Sequence, residues 1–208
     1  MKIMVSIAGL LSLLCFFITI PALAGSSDQR PVIGIIIDDL GSDHPRHERA
    51  VRLPGAVACS FLPLNAATSR LAKLAHSYNK EILLHMPMES LSKKPMGPAG
   101  LSIDMDQREL VWALQSALAS VPHVQGINNH MGSMMTRHPG HMVWLMEEIK
   151  RSGHLFFVDS RTTTYSVAMT VAQQEGVPTL QRDIFLDHDR DIESVRKQFD
   201  KLIRVAKQ

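Results

Sequence analysis

The segment Val32-Ile33-Gly34-Ile35-Ile36-Ile37-Asp38-Asp39-Leu40-Gly41 admits few folds. Its apolar, mostly β-branched residues follow one another without polar alternation. That pattern marks a strand covered on both faces, as in a parallel sheet or barrel. The run stops on two adjacent carboxylates and a glycine. Side chains alternate along a strand, so Asp38 and Asp39 are expected to point different ways. The carboxyl end of a buried strand is where α/β proteins place their sites. The plain alternative is a solvated turn whose aspartate caps the next helix.

The same unit recurs along the chain. Ala56 to Leu62, Glu81 to His85, Val124 to Ile127 and His154 to Val158 read as further buried strands. Short extended pieces, Val177 to Leu180 and Ile184 to Leu186, are expected around Arg182-Asp183. Helical spacing of apolar residues covers Ala66 to Tyr78 and the stripe Leu110, Ala113, Leu114, Ala117 and Leu118. It returns in Met142, Leu145, Met146 and Ile149, and in Ile192, Val195, Phe199, Leu202 and Ile203. Asp106 and Glu109 have capping-box spacing. Strands alternating with helices imply right-handed βαβ units and a parallel sheet or barrel.

The first 24 residues stand apart. Lys2, an apolar run from Ile3 to Ile20 and Pro21-Ala22-Leu23-Ala24 make a secretory signal peptide cleaved before Gly25. A periplasmic or secreted protein without stable membrane insertion after cleavage is expected. Residues 25–208 are expected to form one domain. Cys59, the sole cysteine after the leader, sits in an apolar run, so no intrachain disulfide is available. The net charge is +2 and the basic residues are scattered, which excludes an electrostatic footprint for nucleic acid.

Asp38/Asp39, His85, His130 and Asp159 each fall at the predicted carboxyl end of a different strand. A parallel fold gathers those ends on one face. An aspartate with two histidines is a sound ligand set for a catalytic divalent metal, zinc foremost, and leaves a second aspartate as general base. Satisfied core histidines are the plain alternative. The His85-Met86-Pro87-Met88 and His130-Met131 stretches would also suit copper(I), although methionine near a site is ordinarily packing.

Ile37-Asp38-Asp39-Leu40-Gly41, Leu84-His85-Met86-Pro87-Met88, Gly126-Ile127-Asn128-Asn129-His130-Met131-Gly132-Ser133 and Val158-Asp159-Ser160 together resemble the divergent polysaccharide deacetylase family, over nearly the whole chain from about Arg30. The resemblance implies an irregular (βα) barrel of the polysaccharide deacetylase type. It implies Asp38 as catalytic base and Asp39 as metal ligand. His85 matches the first of two motif histidines, and Glu89 stands where the second would be. Glu89 is therefore a candidate ligand, and His130 a candidate for the missing imidazole. Asp159 and Arg161 resemble later positions that orient the base or contact substrate. Asn128, Asn129 and Ser133 are expected to bind substrate.

Members of that family normally continue past a helix like Gln198 to Lys207 into a strand ending in Gly-His-Pro. The chain is thus expected to lack the last βα unit or units. Two functions compete: a metal-dependent deacetylase acting on an acetylated sugar or peptidoglycan-type glycan, and a non-catalytic glycan-binding or envelope-interaction protein on the same scaffold. The oligomeric state is left open.

Overall fold

A computed structural model describes residues 31–207; the expected signal peptide, residues 1–24, lies outside them. Six strands alternate with helices. They are β1 (Ile36–Leu40), β2 (Ala58–Phe61), β3 (Ile82–Met88), β4 (Gly126–Met131), β5 (Phe156–Asp159) and β6 (Thr179–Gln181). The helices are α1 (Pro45–Val51), α2 (Thr68–Ser77), α3 (Gln107–Ser120), α4 (Pro139–Arg151), α5 (Ala168–Glu175) and α6 (Ile192–Ala206). All five strand pairings are parallel and the sheet order is β1-β2-β3-β4-β5-β6.

A parallel sheet whose strands follow one another in chain order is wound in one direction. With crossovers of one hand, every connecting helix falls on the same face, and the twisted sheet curls around the other. This is an α/β fold of barrel type, with β1 and β6 as the two edges among the described residues.

The two faces carry different side chains. Cys59, Phe61, Ile82, Leu84, Met86, Ile127 and Phe157 share one core with the helices. On the opposite face Ala58, Leu83 and Val158 form a small apolar floor with Ile36 and Phe156. Residues of that same parity further along the strands are Ser60, His85 and Asn128, all buried. The inner face is therefore apolar at the amino ends of the strands and polar towards the carboxyl ends.

Local signals fix the helices. Asp106 accepts from the Glu109 N–H while the Glu109 carboxylate accepts from the Asp106 N–H, a complete capping box on α3. Asp191 caps α6 through the Ser194 N–H. Gly176 closes α5 in the left-handed conformation, φ 75°. Several boundaries differ from the sequence expectation, three of them near the site. β1 begins at Ile36, four residues later than the apolar run. β3 runs on to Met88. β4 starts at Gly126 and contains Asn128, Asn129 and His130, which were expected to follow it. Their polarity suggests a turn, yet in the sheet they have cross-strand partners: His85 lies opposite Asn128 and Pro87 opposite His130. The extended piece expected at Ile184 to Leu186 is not a strand.

Gly41 ends the β1 turn at φ 133°, and a Cβ there would stand 2.6 Å from the Thr68 hydroxyl, itself bonded to the Leu62 carbonyl. Gly41→Ala therefore combines backbone strain with a clash and is expected to destabilise the fold by about 1–3 kcal/mol. Urea denaturation reads this directly. A midpoint equal to the parent's would show that the turn tolerates a side chain.

Candidate metal centre

Strand alternation would separate Asp38 from Asp39, yet both reach one site. Asp38 has the parity of Ile36 and faces the inside of the curl. Asp39 has φ 61°, and the β1–β2 register shifts between Ile37 and Leu40. The left-handed residue rotates its own side chain out of the alternation, back over the carboxyl end of the sheet. His47, on α1, holds the turn: its Nδ1 lies 3.2 Å from the backbone N–H groups of both Gly41 and Ser42.

There the Asp39 carboxylate meets two imidazoles. Asp39 Oδ1 lies 2.9 Å from His130 Nδ1 and 3.2 Å from His85 Nε2, and the two ring nitrogens are 3.2 Å apart. Three lone-pair atoms so close repel one another unless protons or a cation stand among them. Ligands at about 2.0–2.1 Å from a tetrahedral zinc are about 3.3–3.4 Å from each other. The donor set therefore fits a small divalent ion in both chemistry and spacing. Among the described residues this is the one group of three or more His, Cys, Asp or Glu side chains with ligand atoms gathered this closely.

Asn128 organises the set from beneath. Its Oδ1 accepts from the Ser60 hydroxyl at 2.6 Å and from His85 Nδ1–H at 2.8 Å. Its Nδ2 donates to Asp38 Oδ1 at 2.8 Å. In the neutral ring, donation from Nδ1 leaves the lone pair of His85 on Nε2, the atom facing Asp39 and His130; with a second proton there, Nε2 donates to Asp39 instead. One buried amide thus sets the tautomer of a candidate ligand and the position of the neighbouring carboxylate.

Charge follows the geometry. Hydrogen bonds from His130 first, and then His85, hold the Asp39 carboxyl far below the usual carboxylate range. Burial alone would lower the His85 pKa; the hydrogen bond to Asp39 and the charge of Asp38 outweigh it, and the net shift is upward from 6.5.

Several residues singled out in the sequence take roles other than the expected ones. Glu89, a candidate ligand, does not join the cluster. Its Oε2 accepts from the Ile103 N–H at 2.9 Å, fastening the β3–α3 connection. Asn128 and Asn129, expected to bind substrate, are buried with their amides engaged. Asn129 donates to the Met131 carbonyl and accepts from the Ser160 N–H, clamping β4 to the turn after β5. Ser133 Oγ accepts from the Leu91 N–H. Asp159, expected to be catalytic, has the parity of Phe157 and is 2% exposed. Its two oxygens accept from the Arg161 N–H and the Ser166 hydroxyl, so it braces its own loop. Arg161 is exposed, with φ 47°.

Ser60, His47 and Arg182 belong to the surroundings of the cluster and were missed. Arg182 donates from Nε to the Ser160 carbonyl at 2.7 Å and from Nη2 to the Arg161 carbonyl at 3.0 Å. Burial depresses its pKa, while the nearby charges of Asp159 and Asp38 oppose that. Only Arg182 carried a signal, an isolated cation at the end of an extended piece.

The model of the divergent polysaccharide deacetylase family matches residues 35–208. The chain belongs to that family. It is 35% identical over 187 residues to uncharacterized protein YibQ of Escherichia coli strain K12, covering 90% of this chain and 56% of that protein. An uncharacterized protein of Haemophilus influenzae is 34% identical over 176 residues, 84% of this chain and 62% of the relative. The chain thus spans roughly three fifths of the length of these curated relatives. The crystal structure of uncharacterized protein ATU2773 from Agrobacterium tumefaciens C58 superposes with a TM-score of 0.79 at 24% identity. That match covers 84% of this chain and 72% of the other, and shows a shared fold.

If Asn128 sets the His85 tautomer, Asn128→Leu lowers zinc affinity by about 10–100-fold, the usual cost of losing such a partner. Titration calorimetry with zinc at neutral pH measures it, and an unchanged affinity would remove Asn128 from the site. Because His85 holds its proton more tightly than a free imidazole, a metal must displace that proton. Zinc affinity is therefore expected to fall steadily as the pH is lowered from 8 to 5. A flat profile would speak against imidazole ligation.

Proposed function

We propose that this protein is an exported, metal-dependent hydrolase that removes acetyl groups from an N-acetylated or O-acetylated sugar, such as those of a peptidoglycan-type glycan. One observation carries the reading. Asp38 stands beside a three-ligand cluster and is tied to it through a single amide, Asn128. Three protein ligands suit a catalytic rather than a structural metal, because they leave coordination positions free. A divalent ion held by Asp39, His85 and His130, zinc foremost, would supply Lewis-acid polarisation of the acetyl carbonyl.

The chain's own groups do the remainder. Asp38 Oδ1 is committed to Asn128, leaving Oδ2 for proton transfer, and the side chain is 40% exposed. It takes the proton of the attacking water as the new C–O bond forms. It returns that proton to the leaving nitrogen or oxygen as the acetyl bond breaks. The Ser60–Asn128 bond keeps the carboxylate from turning away. Family membership supports a deacetylase-type scaffold. Among the described residues no helix is long and apolar enough to cross a membrane, and export is inferred from the leader sequence.

A second reading, glycan binding without turnover, is favoured by the state of Asp159. With both its oxygens engaged, Asp38 must perform both proton transfers. Asp38→Asn separates the two. In a hydrolase it lowers acetate release from acetylated chitin or peptidoglycan fragments by about 10²–10⁴-fold, the typical worth of a general base, in protein that still takes up zinc. No acetate from any acetylated glycan with zinc-loaded parent protein would leave the binding reading.

A further inference from the structure

Helix α6 buries none of its residues. A helix of its length is marginal in water on its own and ordinarily rests on an apolar face. Such a face is present: Ile192, Val195, Phe199, Leu202 and Ile203 recur at helical spacing. Ile192 is 73% exposed and Phe199 39%. Among the described residues no hydrogen bond or ion pair joins α6 to another element. Asp191 caps it, and Lys197 meets Glu193 within it at 2.9 Å. That internal pair is exposed at both ends and worth little.

The charges beside the apolar stripe are ordered. Glu193, Arg196, Asp200 and Arg204 stand at helical spacing along one side of α6, and all four are exposed. From the amino end their signs run negative, positive, negative, positive. Reversed, the row runs positive, negative, positive, negative. A second α6 laid antiparallel therefore brings Glu193 against Arg204 and Arg196 against Asp200, each pair twice by two-fold symmetry. A parallel copy brings every charge against its own kind. Antiparallel helices also set their dipoles in opposition. The row and the stripe share a centre: Phe199 lies midway along α6, with Ile192 and Ile203 to either side.

We propose that α6 is a self-association surface, on which a second copy of this chain packs its own α6 antiparallel across a two-fold axis beside Phe199. The two phenyl rings meet at the axis and the exposed isoleucines close over them, removing apolar surface from water. The flanking charges fix direction and register, because any other alignment loses their pairing.

Sedimentation velocity of the mature chain over a dilution series tests this. The parent is expected to dimerise reversibly. Phe199→Glu should abolish the dimer. Glu193→Lys and Arg204→Glu should each weaken it by about tenfold, since symmetry makes one substitution alter two exposed ion pairs. An equimolar mixture of those two variants should restore it, because each then meets its opposite. Far-UV circular dichroism should match the parent throughout. A parent that stays monomeric overturns the proposal. So does a dimer indifferent to Phe199→Glu, or a mixture no tighter than its two components. A monomer that binds phosphatidylglycerol vesicles through α6 overturns it in favour of a membrane surface.

Discussion

The site depends on one backbone torsion. With Asp39 in the extended conformation its carboxylate would join Ile37 on the helix side of the sheet, in apolar company. At φ 61° it crosses to the histidines. A non-glycine residue there costs about 1–3 kcal/mol, and such outliers persist where the surroundings over-determine them. Here His47 binds the two N–H groups that follow, and Gly41 lets the chain pass Thr68. The turn is built to make neighbouring carboxylates convergent.

The second constraint is the division of the inner face. Burying Ser60, His85 and Asn128 away from water is costly unless each finds a partner. They find one another: hydroxyl to amide oxygen, imidazole to the same oxygen, amide nitrogen to Asp38. The layer beneath them, Ala58, Leu83 and Val158, is apolar and needs no such pairing. Polar residues are confined to the level at which a closed network can be completed.

Much of this was legible in the sequence because the relevant signals are local. Buried strands, helical stripes and the Asp106 cap were all visible, and so was the alignment of His85, His130 and the Asp pair at strand ends. What was missed depends on partners distant in sequence. Alternation alone sends Asp38 and Asp39 different ways, and the torsion that brings both to one site leaves no compositional trace at an aspartate. Asn128 and Asn129 resemble ligand-facing groups until Ser60 and Ser160 are seen to occupy them. Glu89 fits a motif position, yet the Ile103 N–H it accepts from is settled only by how the β3–α3 loop folds back.

The cluster draws its atoms from β1, β3 and β4, separated in the chain by whole βα units. Cys59 is a free, buried thiol, so no covalent link joins distant parts of the described chain. An ion seated on Asp39, His85 and His130 would act as a removable staple across three strands, closing the curl from its open end. By mass action, metal at about a thousand times its dissociation constant adds about 4 kcal/mol to the folded state. The same three side chains that prepare a reaction would then also make the resilience of the fold answer to the metal content of its surroundings.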